Sequence, residues 1–407
     1  MLIAGEASGD LLAAELVTAL RGRLPDATFF GAGGSKMSGK GVELIYEMSR
    51  LSVVGITDVL SKLLELRRLM QQLLAVAIKR QPDVIIGVDY GGFNLRFGHA
   101  VKEYLQSNPF STWKPKIVQF VSPQVWASRP GRAKRLEADY DLLLSIFPFE
   151  KEWYAQRVPR LRVEFVGHPM VGRFAEESAA LSHHESTTNP AYRPAQILLL
   201  PGSRKSELRR HLPPMLGALA LMQAQRPDLR AKMVLPNVEL KKELTHAMNA
   251  VAKELARNHR QIGLNSMPAA PENSASNIEF QIGDLPQALA QADIAIAKTG
   301  TVTMECAFFG VPAVTLYKGS WLNYQIARHF ITVKTFTMPN LLANEEVYPE
   351  FLQYNLTAEN VARAALDLLQ NESRRQKIKT QLAQVITSLG PPGAPDRAAE
   401  AVLSLLK

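Results

Sequence analysis

The chain has 407 residues, and this length predicts two domains of ordinary size. With 46% apolar and 21% charged residues it can bury substantial cores, which excludes a chain that is disordered throughout. A formal net charge of +9 favours anionic partners such as phosphorylated substrates, anionic lipid or nucleic acid. The single cysteine, Cys306, excludes an intramolecular disulfide, and the chain has no run of about 18 consecutive apolar residues that would predict a transmembrane helix.

The chain begins in a short apolar strand, Met1 to Ala4, without the basic and apolar regions of a secretory signal. Because this strand is short, we expect further residues before Met1 in the natural protein. A polar loop, Gly5 to Asp10, follows it and opens a helix. Its Glu6, Ser8 and Asp10 suit the hydroxyls of a sugar, and a purely structural helix cap by Ser8 explains the pattern equally well.

The stretch from Asp58 to Arg80 predicts a helix with an apolar side and basic edges. Such a helix can lie in a membrane interface and contact acyl chains, whereas by periodicity alone a core helix with solvated edges is favoured. The residues predicted to contact membrane or acyl chains are Leu63, Leu66, Arg67, Arg68, Leu69, Met70 and Leu73.

A strand of the fully buried type, Pro82 to Val88, ends at Asp89. Ligands of open α/β sheets bind at the carboxyl ends of the strands, and a carboxylate there is a candidate general base. The alternative is an aspartate that caps the helix expected to begin near Asn94.

Two further polar features follow in this half of the chain. A basic cluster after the strand Ile117 to Val121 can meet an acidic group of a substrate or can be solvated; it comprises Arg129, Arg132, Lys134 and Arg135. His168, in the turn Gly167-His168-Pro169, is a candidate catalytic residue, but a hinge or packing role is favoured at such a turn.

The polar segment from Ser178 to Pro194 has little periodicity and is predicted to link two domains. The prediction is an amino-terminal domain over residues 1–177, a linker over 178–194 and a nucleotide-binding domain over 195–350. Residues 351–407 are predicted to form terminal helices, which can return to the first domain.

The second half restarts with the apolar strand Ile197 to Leu200 and the loop Pro201-Gly202-Ser203-Arg204. Arg204 is a natural partner for a diphosphate because its guanidinium pairs bidentately with phosphate oxygens. The long helix after this loop is predicted to begin at Pro213-Pro214. The segment Val333 to Asn340 is predicted to be extended and to end in the polar amide of Asn340.

The stretch from Lys298 to Pro312 predicts a strand end, a tight loop, a helix and the start of another strand. The loop places Thr299, Gly300 and Thr301 at the start of the helix, where free N–H groups stabilise an anion. Glu305 lies one turn into the helix and could hold ribose hydroxyls. On this loop alone, an ordinary capped helix is the favoured interpretation.

The two halves together predict two Rossmann-like α/β domains with parallel sheets facing a cleft, the GT-B arrangement of sugar-nucleotide enzymes. The Gly-x-Gly-x-x-Gly signature is absent where it would be needed, which argues against an NAD-dependent dehydrogenase.

Several motifs in this order resemble the lipid-A-disaccharide synthase family over nearly the whole chain. They are Gly5-Glu6-Ala7-Ser8-Gly9-Asp10, Gly87-Val88-Asp89 with Phe93-Asn94, Val121-Ser122-Pro123-Gln124-Val125-Trp126-Ala127, Phe147-Pro148-Phe149-Glu150, Gly167-His168-Pro169, Leu200-Pro201-Gly202-Ser203-Arg204, Thr299-Gly300-Thr301 with Glu305-Cys306, and Pro339-Asn340-Leu341-Leu342-Ala343. The chain departs from the family where Tyr90-Gly91-Gly92 replaces Pro-Asp and where Ser128 replaces a second Trp.

The resemblance implies a hexosyltransferase of lipid A biosynthesis, which contributes to lipopolysaccharide. Its donor is UDP-2,3-diacylglucosamine, its acceptor is 2,3-diacylglucosamine 1-phosphate (lipid X), and inversion gives a β-1,6 bond and UDP. No cofactor, no metal and no nucleic acid are implied. The enzyme is expected in the cytoplasm, peripheral on the inner face of the inner membrane of a Gram-negative-type bacterium. A homodimer, with or without exchanged carboxy-terminal parts, is also implied.

The resemblance assigns roles to the residues of these motifs. Asp89 is the implied base, and Glu6, Ser8, Asp10 and Asn340 are implied to contact the acceptor or the sugars. The implied donor site comprises Gly202, Ser203, Arg204, Thr299, Gly300, Thr301 and Glu305. Because both implied substrates carry acyl chains, the resemblance also favours a membrane role for the basic helix.

Two other functions fit parts of the pattern. A UDP-sugar 2-epimerase, or another GT-B transferase with a soluble acceptor, would share the nucleotide half. A basic membrane or nucleic-acid adaptor fits the net charge, but the chain lacks the aromatic residues interleaved with basic ones that stacking on bases requires.

Overall fold

The computed structural model describes residues 1–48, 59–182, 194–242, 244, 248, 278–320, 333 and 335–407. The chain divides into two compact units. The first comprises Met1–Gly172 together with Leu389–Lys407, and the second comprises Arg173–Ser388.

The first unit is built on a parallel sheet. Its described strands are β1 (Leu2–Ala4), β2 (Phe30–Gly33), β3 (Glu43–Glu47), β4 (Val84–Val88), β5 (Lys116–Phe120), β6 (Leu142–Ser145) and β7 (Val163–Phe165). Most are continuous apolar runs, as expected for strands that are covered on both faces. Their order in space is β3-β2-β1-β4-β5-β6-β7, so the direction of winding reverses between β1 and β4. Ligands of doubly wound sheets bind at the carboxyl ends of strands beside such a reversal.

Helices connect these strands. Those described are α1 (Ala7–Arg23), α2 (Ser35–Ser38), α3 (Val59–Arg80), α4 (Gly91–Ser107), α5 (Val125–Ser128), α6 (Ala133–Asp139), α7 (Pro148–Ala155) and α8 (Pro169–Ser182), with a 3₁₀ turn at Pro130–Arg132. Helix α8 begins in the first unit and ends in the second. The segment predicted as a linker therefore begins inside this helix, and residues 183–193 lie outside the described residues.

The second unit repeats the winding of the first. Its described strands are β8 (Gln196–Leu200), β9 (Arg230–Leu235), β10 (Ile278–Ile282), β11 (Ile294–Lys298), β12 (Ala313–Tyr317) and β13 (Glu350–Leu352). They form a parallel sheet in the order β10-β9-β8-β11-β12-β13, which reverses between β8 and β11. The described helices are α9 (Lys205–Gln225), α10 (Leu285–Gln291), α11 (Val302–Phe308), α12 (Met338–Ala343), α13 (Ala358–Gln370) and α14 (Glu372–Ser388).

Two local predictions for this unit are wrong. Helix α9 passes through Pro213 and Pro214 without a break, although each internal proline removes a backbone donor. Burial of apolar side chains on the same helix, among them Leu212 and Met215, offsets that cost. The segment predicted to be extended contains helix α12, and Asn340 lies inside this helix.

The last helix, α15 (Ala394–Leu403), packs on α1 and places the carboxy-terminal residues in the first unit. Arg23 on α1 pairs with Asp396 at 2.9 Å and with Glu400 at 3.0 Å. Arg397 donates from Nε to the carbonyl oxygen of Val166, 2.8 Å away, which ties α15 to the segment after β7.

Helix α3 contains the residues predicted to face a membrane, and the structure corrects part of this prediction. Leu69 and Leu73 are 2% and 0% exposed and belong to the hydrophobic core of the first unit. They cannot contact acyl chains in this fold, because the leucine spacing of the helix serves core packing at these positions. Leu66 and Met70 are partly buried against the same core.

The basic edge of α3 is the part that remains accessible. Arg67 and Arg68 are exposed, and Leu64 beside them is 49% exposed. The side chain of Leu63 lies outside the described part of the structure. Among the described residues, no helix has the length and apolar character to cross a membrane.

Candidate functional site

Asp89 lies directly after β4, at the carboxyl edge of the first sheet and beside the reversal between β1 and β4. It has a φ of 52°, and the next residue, Tyr90, has a φ of 43°, so two consecutive residues adopt the left-handed conformation. Non-glycine residues rarely do so, and such strain is typical of functional positions. Tyr90, rather than Asp89, precedes α4 as its N-cap, and no side chain caps the helix. The structure therefore does not support the capping alternative for Asp89.

Two buried amides fix the backbone of Asp89. The side chains of Asn94 and Gln119 each donate from nitrogen to its carbonyl oxygen at 2.9 Å. The backbone N–H of Asp89 donates to the carbonyl oxygen of Phe120 at 2.6 Å. Asn94 thus acts on the backbone of the strand tip, which explains the Phe-Asn motif. Among the described residues, the Asp89 carboxylate makes one long contact, 3.5 Å from the hydroxyl of Ser8.

The loop after β1 comes close to the same strand tip. Glu6 and Ser8 are exposed, and Gly5 lies against the ring of Tyr90, where a Cβ atom would approach the ring carbon Cγ to 2.1 Å. A glycine is required for this approach. Asp10 is buried instead, and its carboxylate accepts from the backbone N–H groups of Gly34, Lys36 and Met37 at 2.8 to 3.1 Å. The loop therefore offers Glu6 and Ser8 to a ligand, while Asp10 holds the start of α2.

A buried polar network supports the loop after β5. Glu150 is fully buried, and its carboxyl group accepts from Nε1 of Trp126 at 2.9 Å. The Ser145 hydroxyl lies 2.7 Å from the carbonyl oxygen of Phe147 and 2.8 Å from Oε2 of Glu150. Its single proton can serve only one of them. Both contacts are satisfied if Glu150 is protonated and donates to the Ser145 oxygen.

The electrostatics of Glu150 agree with this protonation state. Burial raises the pKa of Glu150 to about 7, and hydrogen bonds from Trp126, Ser145 and Ser122 oppose the increase only in part. The network connects the Ser122-Pro123 motif with the Phe147-Pro148 motif. The sequence alone did not show that these two motifs contact each other. These motifs position the loop beside β4.

In the second unit the strand ends enclose a cavity of about 280 Å³. Five of the residues predicted for the donor site line it: Gly202, Ser203, Gly300, Thr301 and Glu305. The predicted loops after β8 and β11 are thus brought together by the fold, because these two strands are neighbours in the sheet.

Two predicted donor residues lie outside the cavity lining. The Arg204 side chain is 69% exposed, and its closest described ion pair is a 3.9 Å contact with Glu207. The hydroxyl of Thr299 is buried and has no hydrogen-bond partner in the described part of the chain. A buried hydroxyl without a hydrogen-bond partner is uncommon in proteins.

Sequence reasoning missed the ion pair inside this cavity. Nζ of Lys298 lies 3.2 Å from Oε1 of Glu207, and the other carboxylate oxygen of Glu207 accepts from the N–H of Ser203 at 3.0 Å. Burial opposes ionisation of Glu207, but Lys298, Ser203 and Arg204 outweigh it and hold the pKa of the carboxyl below its usual value. The sequence carries a signal for Lys298, because it is the charged last residue of a buried strand. Asp89 has a similar position in the first unit, directly after the last residue of β4.

A buried histidine, His211, contacts the start of the loop after β8. His211 accepts at Nε2 from the N–H of Lys318 at 3.1 Å, and its Nδ1 lies 3.0 Å from the carbonyl oxygen of Pro201. These contacts fix the neutral form with the proton on Nδ1. Burial lowers the pKa of His211.

Asn340 and His168 have structural roles in the described contacts. Asn340 is buried, donates to the carbonyl oxygen of Tyr348 and to Glu350 at 2.8 Å each, and accepts from the N–H groups of Val347 and Tyr348. Its amide is fully used inside the second unit. The Nδ1 of His168 accepts from the N–H of Met170 at 3.2 Å, at the start of α8. Among the described residues, no cluster of His, Cys, Asp or Glu is arranged to hold a metal ion.

Solved structures of sugar-nucleotide enzymes share this fold. An S. aureus MnaA–UDP co-structure has a TM-score of 0.60 at 13% identity, covering 100% of this chain and 96% of that one. A UDP-GlcNAc 2-epimerase from Neisseria meningitidis, bound to UDP-GlcNAc, has a TM-score of 0.56 at 10% identity and is covered to 98%. A trehalose-phosphate synthase from Burkholderia vietnamiensis has the same TM-score at 13% identity and is also covered to 98%. The fold is therefore that of GT-B enzymes, and the predicted fold class is confirmed.

Sequence comparison identifies the family. The family model for lipid-A-disaccharide synthetase matches residues 1–403. The lipid-A-disaccharide synthase of Myxococcus xanthus is 34% identical over 406 residues, covering 100% of this chain and 97% of the relative. That of Alcanivorax borkumensis is 35% identical over 408 residues, with the same coverage. The chain belongs to the lipid-A-disaccharide synthase family, and it is a glycosyltransferase of lipid A biosynthesis. The resemblance inferred from the motifs is confirmed.

Proposed function

We propose that this protein transfers the sugar of UDP-2,3-diacylglucosamine to the 6-hydroxyl of 2,3-diacylglucosamine 1-phosphate (lipid X). The products are UDP and lipid A disaccharide 1-phosphate with a β-1,6 linkage. Family membership supports the class of reaction. The observation that carries the proposal is the accessible carboxylate of Asp89 at the tip of β4, held by its backbone and only weakly by its side chain.

Inversion requires the acceptor oxygen to attack the anomeric carbon from the face opposite UDP. This oxygen loses its proton as the new bond forms, so a base beside it lowers the barrier. Asp89 is proposed to take the proton. Glu6 and Ser8, on the loop next to it, are proposed to orient the acceptor sugar, while Asp10 holds the start of α2.

The leaving group carries the charge of a diphosphate, and stabilising this charge lowers the barrier to transfer. We propose that the loops containing Gly202 to Arg204 and Thr299 to Thr301 hold the diphosphate, and that Glu305 holds the ribose. Lys298 adds a cation inside the cavity that these loops line. A bound diphosphate would compete with Glu207 for this cation, because the two groups carry the same sign.

Both proposed substrates carry acyl chains, so the protein is proposed to act at the cytoplasmic face of the inner membrane of a Gram-negative-type bacterium. The exposed Leu64, Arg67 and Arg68 on α3 support this location, since basic residues beside apolar ones bind anionic lipid surfaces. The homodimer stays a prediction.

The test is an incubation of the purified protein with both acylated substrates, followed by mass spectrometry of the lipid and chromatography of the nucleotide. We expect UDP and a tetra-acyl disaccharide phosphate to appear in equal amounts. Incubation with the donor alone is the control. An isomerised UDP-sugar in that control, without a disaccharide in the full reaction, would indicate an epimerase instead.

A further inference from the structure

The first unit carries a group of arginines whose charge no described carboxylate neutralises. Arg96, Arg129 and Arg132 are exposed, and within the described part of the chain none of them forms an ion pair. Some other arginines of the same unit are paired: Arg23 with Asp396 and Glu400, Arg80 with Glu43, and Arg160 with Glu137. The three residues are called here the arginine cluster, and what distinguishes them is their place on the segments that follow β4 and β5.

The arginine cluster lies on the segments that follow the two central strand tips. Arg96 is on α4, which begins two residues after Asp89. Arg129 follows α5, and Arg132 closes the 3₁₀ turn after it; both segments come after β5, the neighbour of β4. A Cβ atom on Gly91 would lie 3.0 Å from Cβ of Pro123, so the two connections pack closely at their origin.

Contacts further along hold the same segments together. The hydroxyl of Tyr140 donates to the carbonyl oxygen of Asn94 at 2.7 Å, and Nδ1 of His99 lies 2.9 Å from Oδ2 of Asp139. Helix α4 is thereby fixed to α6, which directly follows Arg132. These contacts fix the segments that carry the three arginines, and they do so without the arginine side chains.

The charges of the cluster act on one another. Desolvation and the fields of Arg129, Arg96 and Arg135 hold the pKa of Arg132 below its usual value. Of these residues, Arg135 has a partner, since its Nε lies 3.6 Å from Asp139. Like charges on neighbouring segments repel, so a bound anion would relieve this repulsion.

We propose that Arg96, Arg129 and Arg132 bind a phosphomonoester, and that this group is the 1-phosphate of the acceptor. A phosphomonoester carries a charge of about −1.5 to −2 at neutral pH and three acceptor oxygens, which suits several guanidinium forks. This inference rests on the proposed function, because it assigns the acceptor's phosphate to the edge of the sheet that carries Asp89. The same chemistry could come from the headgroup of an anionic lipid, and the experiment separates the two sources.

The test compares two acceptors in detergent micelles, 2,3-diacylglucosamine with and without its 1-phosphate. We expect Arg132→Gln to raise the KM for the phosphorylated acceptor about tenfold or more, and Arg129→Gln combined with it to raise the KM further. The KM for the donor should stay within about twofold, and the phosphate-free acceptor should react alike with wild type and variants. Arg160→Gln is the matched control, because Arg160 lies on the same unit but is paired with Glu137.

Two outcomes would overturn the proposal. One is an equal change, or no change, of KM with both acceptors. The other is weaker sedimentation of Arg132→Gln with phosphatidylglycerol vesicles while the KM for the phosphorylated acceptor stays at the wild-type value, which would assign the cluster to lipid headgroups. If Arg132→Gln fails to fold, the exposed Arg96→Gln and Arg129→Gln variants answer the same question.

A binding measurement separates this inference from the proposed function. Soluble glucosamine 1-phosphate should raise the Tm of the wild type and not that of the double variant, whereas glucosamine should affect neither. If the disaccharide forms but glucosamine 1-phosphate raises the Tm of both proteins alike, the phosphate site at the arginine cluster is wrong and the proposed function stands. If glucosamine 1-phosphate raises only the Tm of the wild type but no disaccharide forms, the phosphate site is supported and the proposed reaction is wrong.

Discussion

The two units place opposite charges at equivalent points of the same topology. In the first unit β4 lies between β1 and β5, and Asp89 follows its last residue. In the second unit β11 lies between β8 and β12, and its last residue is Lys298. Both strands border the reversal of their sheet, where ligands of doubly wound folds bind. The topology fixes where a ligand binds, and the residue at the strand tip decides whether the site offers a base or a cation.

The contacts around the two strand tips also differ. Asp89 lies in a strained, left-handed segment, and its carboxylate has one long contact within the described part of the chain. Lys298 is held in a cavity by a close pair with Glu207, whose other oxygen takes the N–H of Ser203. An accessible carboxylate suits a proton acceptor, whereas a cation inside a cavity lined by polar loops suits a phosphate.

Replacing the base should have the largest effect. Asp89→Asn keeps the shape of the side chain and removes its capacity to take a proton, so we expect kcat to fall by about 10²- to 10⁴-fold. The KM for the donor should change little, because Asp89 is not part of the donor cavity. Steady-state kinetics at saturating acceptor measure this separation, and a circular-dichroism spectrum equal to that of the wild type is the control. A variant with wild-type kcat would remove Asp89 from the mechanism.

The buried acid of the first unit predicts a pH dependence of stability. Because the pKa of Glu150 is raised from 4.5 to about 7, the folded protein binds this proton more tightly than the unfolded chain does. The protonated Glu150 contributes about 3 kcal/mol to the free energy of unfolding. This contribution is fully present below pH 4.5 and is lost as the pH rises towards 7. Glu150→Gln can keep both hydrogen bonds of the acid form without ionising. Urea unfolding at pH 5 and pH 8 should therefore show a smaller difference for the variant than for the wild type.

The second unit supplies the opposite control for this measurement. Burial lowers the pKa of His211, so the unfolded chain takes up a proton before the folded protein does. The resulting loss of stability occurs as the pH falls below the ordinary histidine value of about 6.5. His211→Gln should reduce the loss on the acid side and leave the alkaline loss caused by Glu150. If both variants change the pH dependence of the free energy of unfolding in the same pH range, the assignment of the acid-side loss to His211 and the alkaline loss to Glu150 is wrong.

Removing the cavity cation should have a smaller effect than removing the base. Lys298→Met keeps the length of the side chain and loses its charge, so we expect kcat/KM for the donor to fall about 10- to 100-fold. Most of the change should appear in donor binding, in contrast to Asp89→Asn. Titration with UDP by calorimetry checks this, with Lys232→Met as the control, because Lys232 pairs with Glu279 outside the cavity lining. Unchanged UDP affinity would show that Lys298 only holds the Glu207 loop.

The smallest effect on stability is expected at the exposed edge of α3. Leu64→Ser should change the free energy of unfolding by less than about 0.5 kcal/mol, because Leu64 is 49% exposed. Leu73→Ser should cost several kcal/mol, on the order of 2–5, because Leu73 is fully buried. If α3 meets the membrane, Leu64→Ser with Arg68→Gln should lower sedimentation with anionic vesicles while the protein stays folded. Full retention on vesicles would exclude this edge as the contact.

The sequence by itself determined the class of fold, the family, and which strands end in polar loops. Apolar runs followed by glycine and charged residues mark strand tips locally, so Asp89 and the loops at Gly202 and Gly300 could be found without coordinates. Sequence did not reveal the pair of Lys298 with Glu207, the network around Glu150 or the two amides that fix Asp89. These contacts join residues far apart in the chain, and only the packing of neighbouring strands brings them together.

Tertiary structure also decided between interpretations that one periodicity could not separate. Helical spacing of leucines on α3 fits a core and a membrane surface alike, and burial assigned Leu69 and Leu73 to the core. Asp10 and Asn340 carry polar groups that suit a substrate, yet backbone groups of their own units occupy them. A residue's type sets which bonds it can make, but the partners that satisfy those bonds are chosen by the fold, because a buried polar group left without a partner costs stability.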